Sequence, residues 1–280
     1  MNNKVFGKSI ELFFVNGTSE GVVTAELRNW SGKAIKIPRI EVGKYHDDEF
    51  NYVGVYLLYC TDSEGNEKIY VGESEDVEHR LKQHISDYDK GKEQYYWNQA
   101  VAFVDNRLDK AEIRYIENRL ANEIYEVDTN RLLTKSTYGK TNLKASQIAV
   151  AEEFIDNIKT LLGALGMKLV NVAPKATEDT NYLYCKGKSA EAVGFVSNNG
   201  FTVLKGAVIN VETTKSFEDH TYYNLRQKLI DEQVIVDYKL TRDYEFNAPS
   251  AASSVVLGRA SNGKTEWRTK SGKLLSDVNN

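Results

Sequence analysis

The chain reads as an α+β protein in two parts, and three observations carry that reading. Short apolar runs rich in β-branched and aromatic residues are broken by turn signals such as Asn16-Gly17 and Ser31-Gly32. Longer stretches, best developed at 108–127 and 146–165, repeat apolar residues every three or four positions, the period of an amphipathic helix. At 173–181 the chain turns polar, with Pro174, Lys175, Glu178 and Asp179, and apolar patterning resumes at Tyr182. The expected plan is a strand-rich extension (1–48), a main domain (49–172) with a small antiparallel sheet flanked by helices, a linker (173–181) and a second small α+β domain (182–280). A chain of 280 residues is long enough for two such cores.

Taken in order, Ile10 to Val15, Gly21 to Leu27 and Ala34 to Ile37 are the strands of the extension. Gly54-Val55-Tyr56-Leu57-Leu58-Tyr59 and Ile69-Tyr70-Val71-Gly72 flank a turn containing Asp62, Gly65 and Asn66, a β-hairpin pattern. Side chains alternate along a strand, so Tyr56 lies opposite Val55 and Leu57, and Tyr70 opposite Ile69 and Val71. A helix is expected from Ser74, with Glu75 and Asp76 in its first turn favoured by the helix dipole. Val77, Leu81 and Ile85 form its apolar stripe, and Arg80 and His84, four apart, share the face beside it.

The next helix, 108–127, turns Ile113, Ile116, Leu120, Ile124 and Val127 inward, with Glu117 on the margin of that stripe. A carboxylate there is costly without something to pair with. The third helix ends at Gly166, a residue suited to a C-cap. In the second domain, a helix near Tyr223 to Glu232 and a helix start at Pro249 are the clearest signals.

The formal charge of −4 argues against tight, indiscriminate binding of nucleic acid, whose ligands are usually basic. A local basic patch remains compatible with it, because fields are largely screened beyond the Debye length of about 8 Å. Cys60 and Cys185 are far apart and sit in apolar stretches, which suits buried reduced thiols. Without a signal-type start or a bilayer-length apolar run, the expectation is a soluble, cytoplasmic protein with no membrane partner.

Gly54-Val55-Tyr56 and Tyr70-Val71-Gly72 are similar to the two name-giving tripeptides of the GIY-YIG nuclease family. Glu73-Ser74-Glu75-Asp76-Val77 followed by Arg80 and His84 resembles that family's downstream helix. Tyr96-Trp97-Asn98-Gln99-Ala100-Val101 resembles its next strand, and Ile116-Glu117-Asn118-Arg119-Leu120 its glutamate-bearing helix. The resemblance implies a DNA endonuclease with one divalent ion, Mg²⁺ or Mn²⁺, held by Glu117. Tyr56 would act as general base, Arg80 would grip the scissile phosphate, His84 would accept or relay the proton, and Tyr70 would position water or phosphate. Where many relatives carry an asparagine near the site, this chain has Thr134, whose hydroxyl lacks the amide's paired donor and acceptor.

The stretch from Phe246 to Lys273, including Pro249-Ser250-Ala251-Ala252-Ser253-Ser254, resembles a small C-terminal domain often attached to restriction-associated nucleases. The nuclease resemblance implies DNA as partner, and this second resemblance adds candidate protein partners in a restriction or defence complex. Small residues at the helix start and the Asn262-Gly263 turn are accounted for by a structural role, with Arg259, Lys264, Arg268, Lys270 and Lys273 as a phosphate-contacting patch the less favoured alternative. Lys33, Lys36 and Arg39 are a weaker candidate, beside a structural role for the extension.

Taken singly, each candidate has an ordinary explanation: the chain has 17 tyrosines, and Glu117 has Arg114 and Arg119 nearby as ion-pair partners. Order and facing together favour the enzyme. The acidic balance and Thr134 favour the rival, a degenerate module that binds nucleic acid or scaffolds a complex. The enzyme reading further expects Tyr56, Tyr70, Arg80 and Glu117 to converge on one open groove.

Overall fold

The computed structural model describes residues 6–62, 64–134, 143–169, 176 and 180–278 of the chain. The polar stretch 135–142 and most of the expected linker lie outside the described residues. Two compact units, 1–171 and 172–280, divide the chain, and both are α+β as the sequence predicts.

The first unit runs β1 (Ile10–Phe14), β2 (Val23–Leu27), β3 (Lys33–Pro38), β4 (Gly54–Thr61), β5 (Glu67–Ser74), α1 (Val77–Asp89), β6 (Trp97–Val104), α2 (Lys110–Val127) and α3 (Ala145–Ala164). Its six strands form one antiparallel sheet in the order β1-β2-β3-β6-β4-β5. The first three strands thus extend the hairpin's own sheet, because β3 pairs with β6 from Lys33↔Val104 to Pro38↔Gln99.

Strand alternation divides the core between the two faces of this sheet. Val55, Leu57, Val71 and Phe103 pack with Ile113, Ile116 and Leu120 of α2 and with Phe154 and Ile158 of α3. Tyr56, Leu58, Trp97 and Ala102 face the other way, with Val77 and Leu81 of α1. A one-residue slip of β4 would exchange these two sets, so burial on both faces fixes the register. Gly54 is required where β4 meets β6: a Cβ there would lie 2.1 Å from the Phe103 carbonyl oxygen.

The helix expected from Ser74 begins later. Ser74 closes β5, paired with Gly54, and Asp76 is the N-cap, its carboxylate accepting from the His79 N–H at 2.8 Å. Ser74 and Asp76 are both good caps, and the ladder to β4 decides between them. At α2 a capping box is complete: Asp109 accepts from the Glu112 N–H, and Glu112 accepts from the Asp109 N–H.

The second unit contains β7 (Leu183–Lys186), β8 (Glu191–Ser197), β9 (Gly200–Val203), α4 (Lys215–Glu218), α5 (Thr221–Asp231), β10 (Ile235–Val236), β11 (Lys239–Leu240), β12 (Tyr244–Phe246), α6 (Pro249–Leu257), α7 (Gly263–Glu266) and α8 (Leu275–Val278). A four-stranded sheet, β12-β9-β8-β7, packs Phe201 and Val203 against Ala252, Val255 and Trp267. Pro249 opens α6, and Gly258 closes it at φ +67°. Among the described residues no helix is long and apolar enough to cross a membrane. Cys60 and Cys185 are both buried thiols, as their apolar settings suggest.

Candidate active site

The site grows from one pair of residues that face each other across the β4–β5 hairpin, Tyr56 and Gly72. A Cβ on Gly72 would come within 2.4 Å of the Tyr56 ring carbon and hydroxyl. The missing side chain is therefore what lets the phenol lie across β5. Tyr70, two residues before Gly72 and on the same face, stacks beside it with ring centroids 6.3 Å apart.

Helix α1 covers these rings. Leu81 is buried in the core while Arg80 and His84, one turn apart, reach over the tyrosines. The Tyr56 hydroxyl is 2.8 Å from His84 Nε2, and the His84 ring sits edge-on to both Tyr56 and Tyr70 at 5.5 and 5.3 Å. Arg80 is within hydrogen-bonding reach of both tyrosine hydroxyls, and its Nη1 donates to Gln83 Oε1 at 2.8 Å.

Glu117 approaches from the other layer. It is 1 % exposed, on the margin of the α2 stripe, and its charge acts on the Tyr56 hydroxyl. Helices α1 and α2 lie on opposite faces of the sheet, yet Arg80 and Glu117 both influence this one phenol.

Burial dominates the electrostatics. It raises the Tyr56 hydroxyl well above the ordinary phenol value, Tyr70 adds to the rise, and Arg80 opposes it. Burial, then Arg80, then Arg39 push the His84 imidazole down to about 3, so it is neutral near pH 7. The carboxylate of Glu93 is in contact with His84 Nδ1.

These facts correct the expected open groove. Tyr56, His84 and Glu117 are all buried, and Arg80 and the half-buried Tyr70 are the more accessible members. His84 is 0 % exposed.

Glu93 and Tyr95 are neighbours that sequence reasoning missed. Both lie in the connection between α1 and β6, where no periodicity marks a facing, and Tyr95 stacks near Tyr70 at 6.0 Å. Arg39 is buried between the rings of Tyr88, Tyr96 and Trp97, 4.6 to 5.0 Å from each centroid. That cage, with Asp89 3.8 Å away, gives Arg39 a structural role. Lys33 is likewise engaged by Asp47 at 2.9 Å and Glu49 at 2.7 Å.

Thr134 is placed beside β5. Its Oγ1 accepts from the Val71 N–H and donates to the Val71 carbonyl, both at 2.9 Å, directly between Tyr70 and Gly72. The preceding residues also bond to this strand, through Ile69 N–H to the Arg131 carbonyl and Leu133 N–H to the Ile69 carbonyl. Thr134 therefore finishes the outer ladder of the strand that carries Tyr70.

A guanidinium fork, a phenol linked to an imidazole and a buried hard oxygen donor suit the hydrolysis of a phosphodiester. Among the described residues no three His, Cys, Asp or Glu side chains gather to hold a metal. A Mg²⁺ or Mn²⁺ ion fits here only in the manner of sites with one carboxylate, water and substrate oxygens.

Residues 52–124 match the GIY-YIG catalytic domain, and residues 183–279 match a domain of unknown function, DUF4357. The chain thus carries a GIY-YIG domain, the catalytic domain of a nuclease family, followed by a C-terminal domain of unknown function. Neither the curated proteins nor the solved structures include a match to this chain.

Proposed function

We propose that the chain is a divalent-metal-dependent DNA endonuclease whose site comprises Tyr56, Tyr70, Arg80, His84 and Glu117. The observation that carries this reading is the hydrogen bond between Tyr56 and His84 under Arg80, because it gives a buried phenol both a proton acceptor and a neighbouring positive charge. Tyr56 takes a proton from the attacking water, His84 accepts the phenol's own proton, and Arg80 holds the scissile phosphate as its charge builds. Tyr70 orients water or phosphate through its hydroxyl. Glu117 would hold Mg²⁺ or Mn²⁺, and a bound ion supplies charge to the phosphate and the leaving oxygen.

A role in restriction or defence, with protein partners, rests on the character of the C-terminal unit alone. There Lys264, Arg268, Lys270 and Lys273 are exposed, while Arg259 is paired with Glu266 at 2.7 Å. The scaffold alternative has its support in the net charge of −4.

Matched binding and nicking measurements at one salt concentration separate the readings, since phosphate contacts make affinity strongly salt-dependent. Tyr56→Phe keeps the ring and should bind DNA like wild type while cleaving about a hundredfold less or worse. Arg80→Ala should weaken both binding and cleavage. Wild type that binds DNA but cuts none with any divalent ion would leave only the scaffold.

A further inference from the structure

Among the groups around His84, one has a geometry that the roles above leave unused. The imidazole is touched on both ring nitrogens, by Tyr56 Oη at Nε2 and by Glu93 Oε1 at Nδ1. A carboxylate only accepts, whereas a neutral imidazole carries one donor and one acceptor. With Glu93 ionised, the proton must therefore sit on Nδ1, and Nε2 must accept from the Tyr56 hydroxyl. The opposite tautomer would need Glu93 to act as the donor.

We infer that Glu93 is a positioning residue that holds His84 as the Nδ1–H tautomer, leaving Nε2 free to take the Tyr56 proton. The catalytic meaning of this rests on the nuclease reading; the tautomer itself does not. As the water oxygen bonds to phosphorus, one water proton passes to Tyr56 Oη and the phenol proton passes to Nε2. The leaving oxygen departs with its bonding pair and is protonated from solvent. His84 is then an imidazolium, and Glu93 is the anion that faces it, opposing Arg80 and Arg39.

The fold prepares Glu93 for this place. Gly91, at φ +72°, turns the chain out of α1, and the N–H groups of Lys92 and Glu93 donate to the Asp87 carbonyl at 2.8 and 3.3 Å. Against the burial of the Glu93 carboxylate, the charges of Arg80 and Arg39 act on it and favour its ionised form. Glu93 is thus held by α1 itself, the helix that carries His84.

The test is long-range ¹H–¹⁵N NMR on the full chain without DNA or metal. Four histidines are present, and His84 is assigned by the signals lost in His84→Gln. Wild type should show a protonated Nδ1 and an unprotonated Nε2. Glu93→Ala should move the proton toward Nε2 and lower nicking about tenfold or more, with DNA affinity unchanged. A wild-type spectrum with the proton on Nε2, or an unchanged tautomer in Glu93→Ala, would overturn the assignment. If Glu93→Ala does not fold, the wild-type spectrum alone decides it. A wild type with the expected tautomer that cuts no DNA would overturn the nuclease reading and leave the Glu93 contact established.

Discussion

His84 shows how one residue joins stability to chemistry. Its imidazole titrates near 6.5 when exposed but is pushed down to about 3 in the fold by burial, Arg80 and Arg39. Between those values the unfolded chain binds a proton that the folded chain refuses. Stability is therefore full above about pH 6.5 and is lost as pH falls, by up to about 1.4 kcal/mol per pH unit. Urea unfolding at pH 7 and pH 5 samples the upper part of this window while staying above the range where Asp47 and Glu152, both held low by their partners, are protonated. Wild type should lose roughly 2 kcal/mol between the two conditions, and His84→Gln much less. Equal losses would mean that His84 is not the buried group that resists protonation.

At this scale the sequence was legible wherever a period fixes direction. Strand alternation places Tyr56 and Tyr70 on one face, and a four-residue helical spacing places Arg80 and His84 together; the structure brings these four into contact. Glu93 follows no period. It sits in an irregular connection, and the turn at Gly91 that brings it to Nδ1 leaves no periodic signal. The depth of burial was equally hidden, because it depends on how α1 lies across the hairpin and not on α1's own pattern.

At the scale of elements, β5 depends on a single hydroxyl. Thr134 satisfies both the N–H and the carbonyl of Val71, a fully buried residue. Thr134→Val keeps the shape and strands both groups, which should cost about 1–3 kcal/mol in chemical denaturation. Thr134→Ser retains the hydroxyl and should stay close to wild type. If Val and Ser variants were equally stable, the ladder would not rest on this bond. The sequence marked Thr134 as a departure from the family's asparagine but gave no sign of its partner, which lies 63 positions away. The start of α1 was misplaced for a similar reason: capping chemistry alone admits both Ser74 and Asp76, and pairing of Ser74 with Gly54 settles it. The junction of β3 with β6 is long-range too, so the extension's strands were readable while their place in the sheet was not.

For the whole molecule, the apolar clusters are the guide. Two of them lie wholly within residues 22–169, and the third within residues 183–275. A unit with its own closed core is expected to fold alone. A fragment of residues 1–171 should therefore show a cooperative thermal transition and the same His84 pH dependence as the full chain. A fragment that is unfolded, or melts without cooperativity, would contradict the division into two units.

The proposed reaction is hydrolysis of DNA by the buried cluster of the first unit with a cation held by Glu117. Its most direct test is nicking of supercoiled plasmid by purified wild type and Glu117→Gln, each with Mg²⁺, with Mn²⁺ and with a chelator. Glu117→Gln preserves shape and removes the charge, so folding should be largely intact while cleavage is abolished. Wild type should nick with a divalent ion and stop when it is chelated. Nicking by Glu117→Gln at the wild-type rate, or by wild type in chelator, would contradict the account.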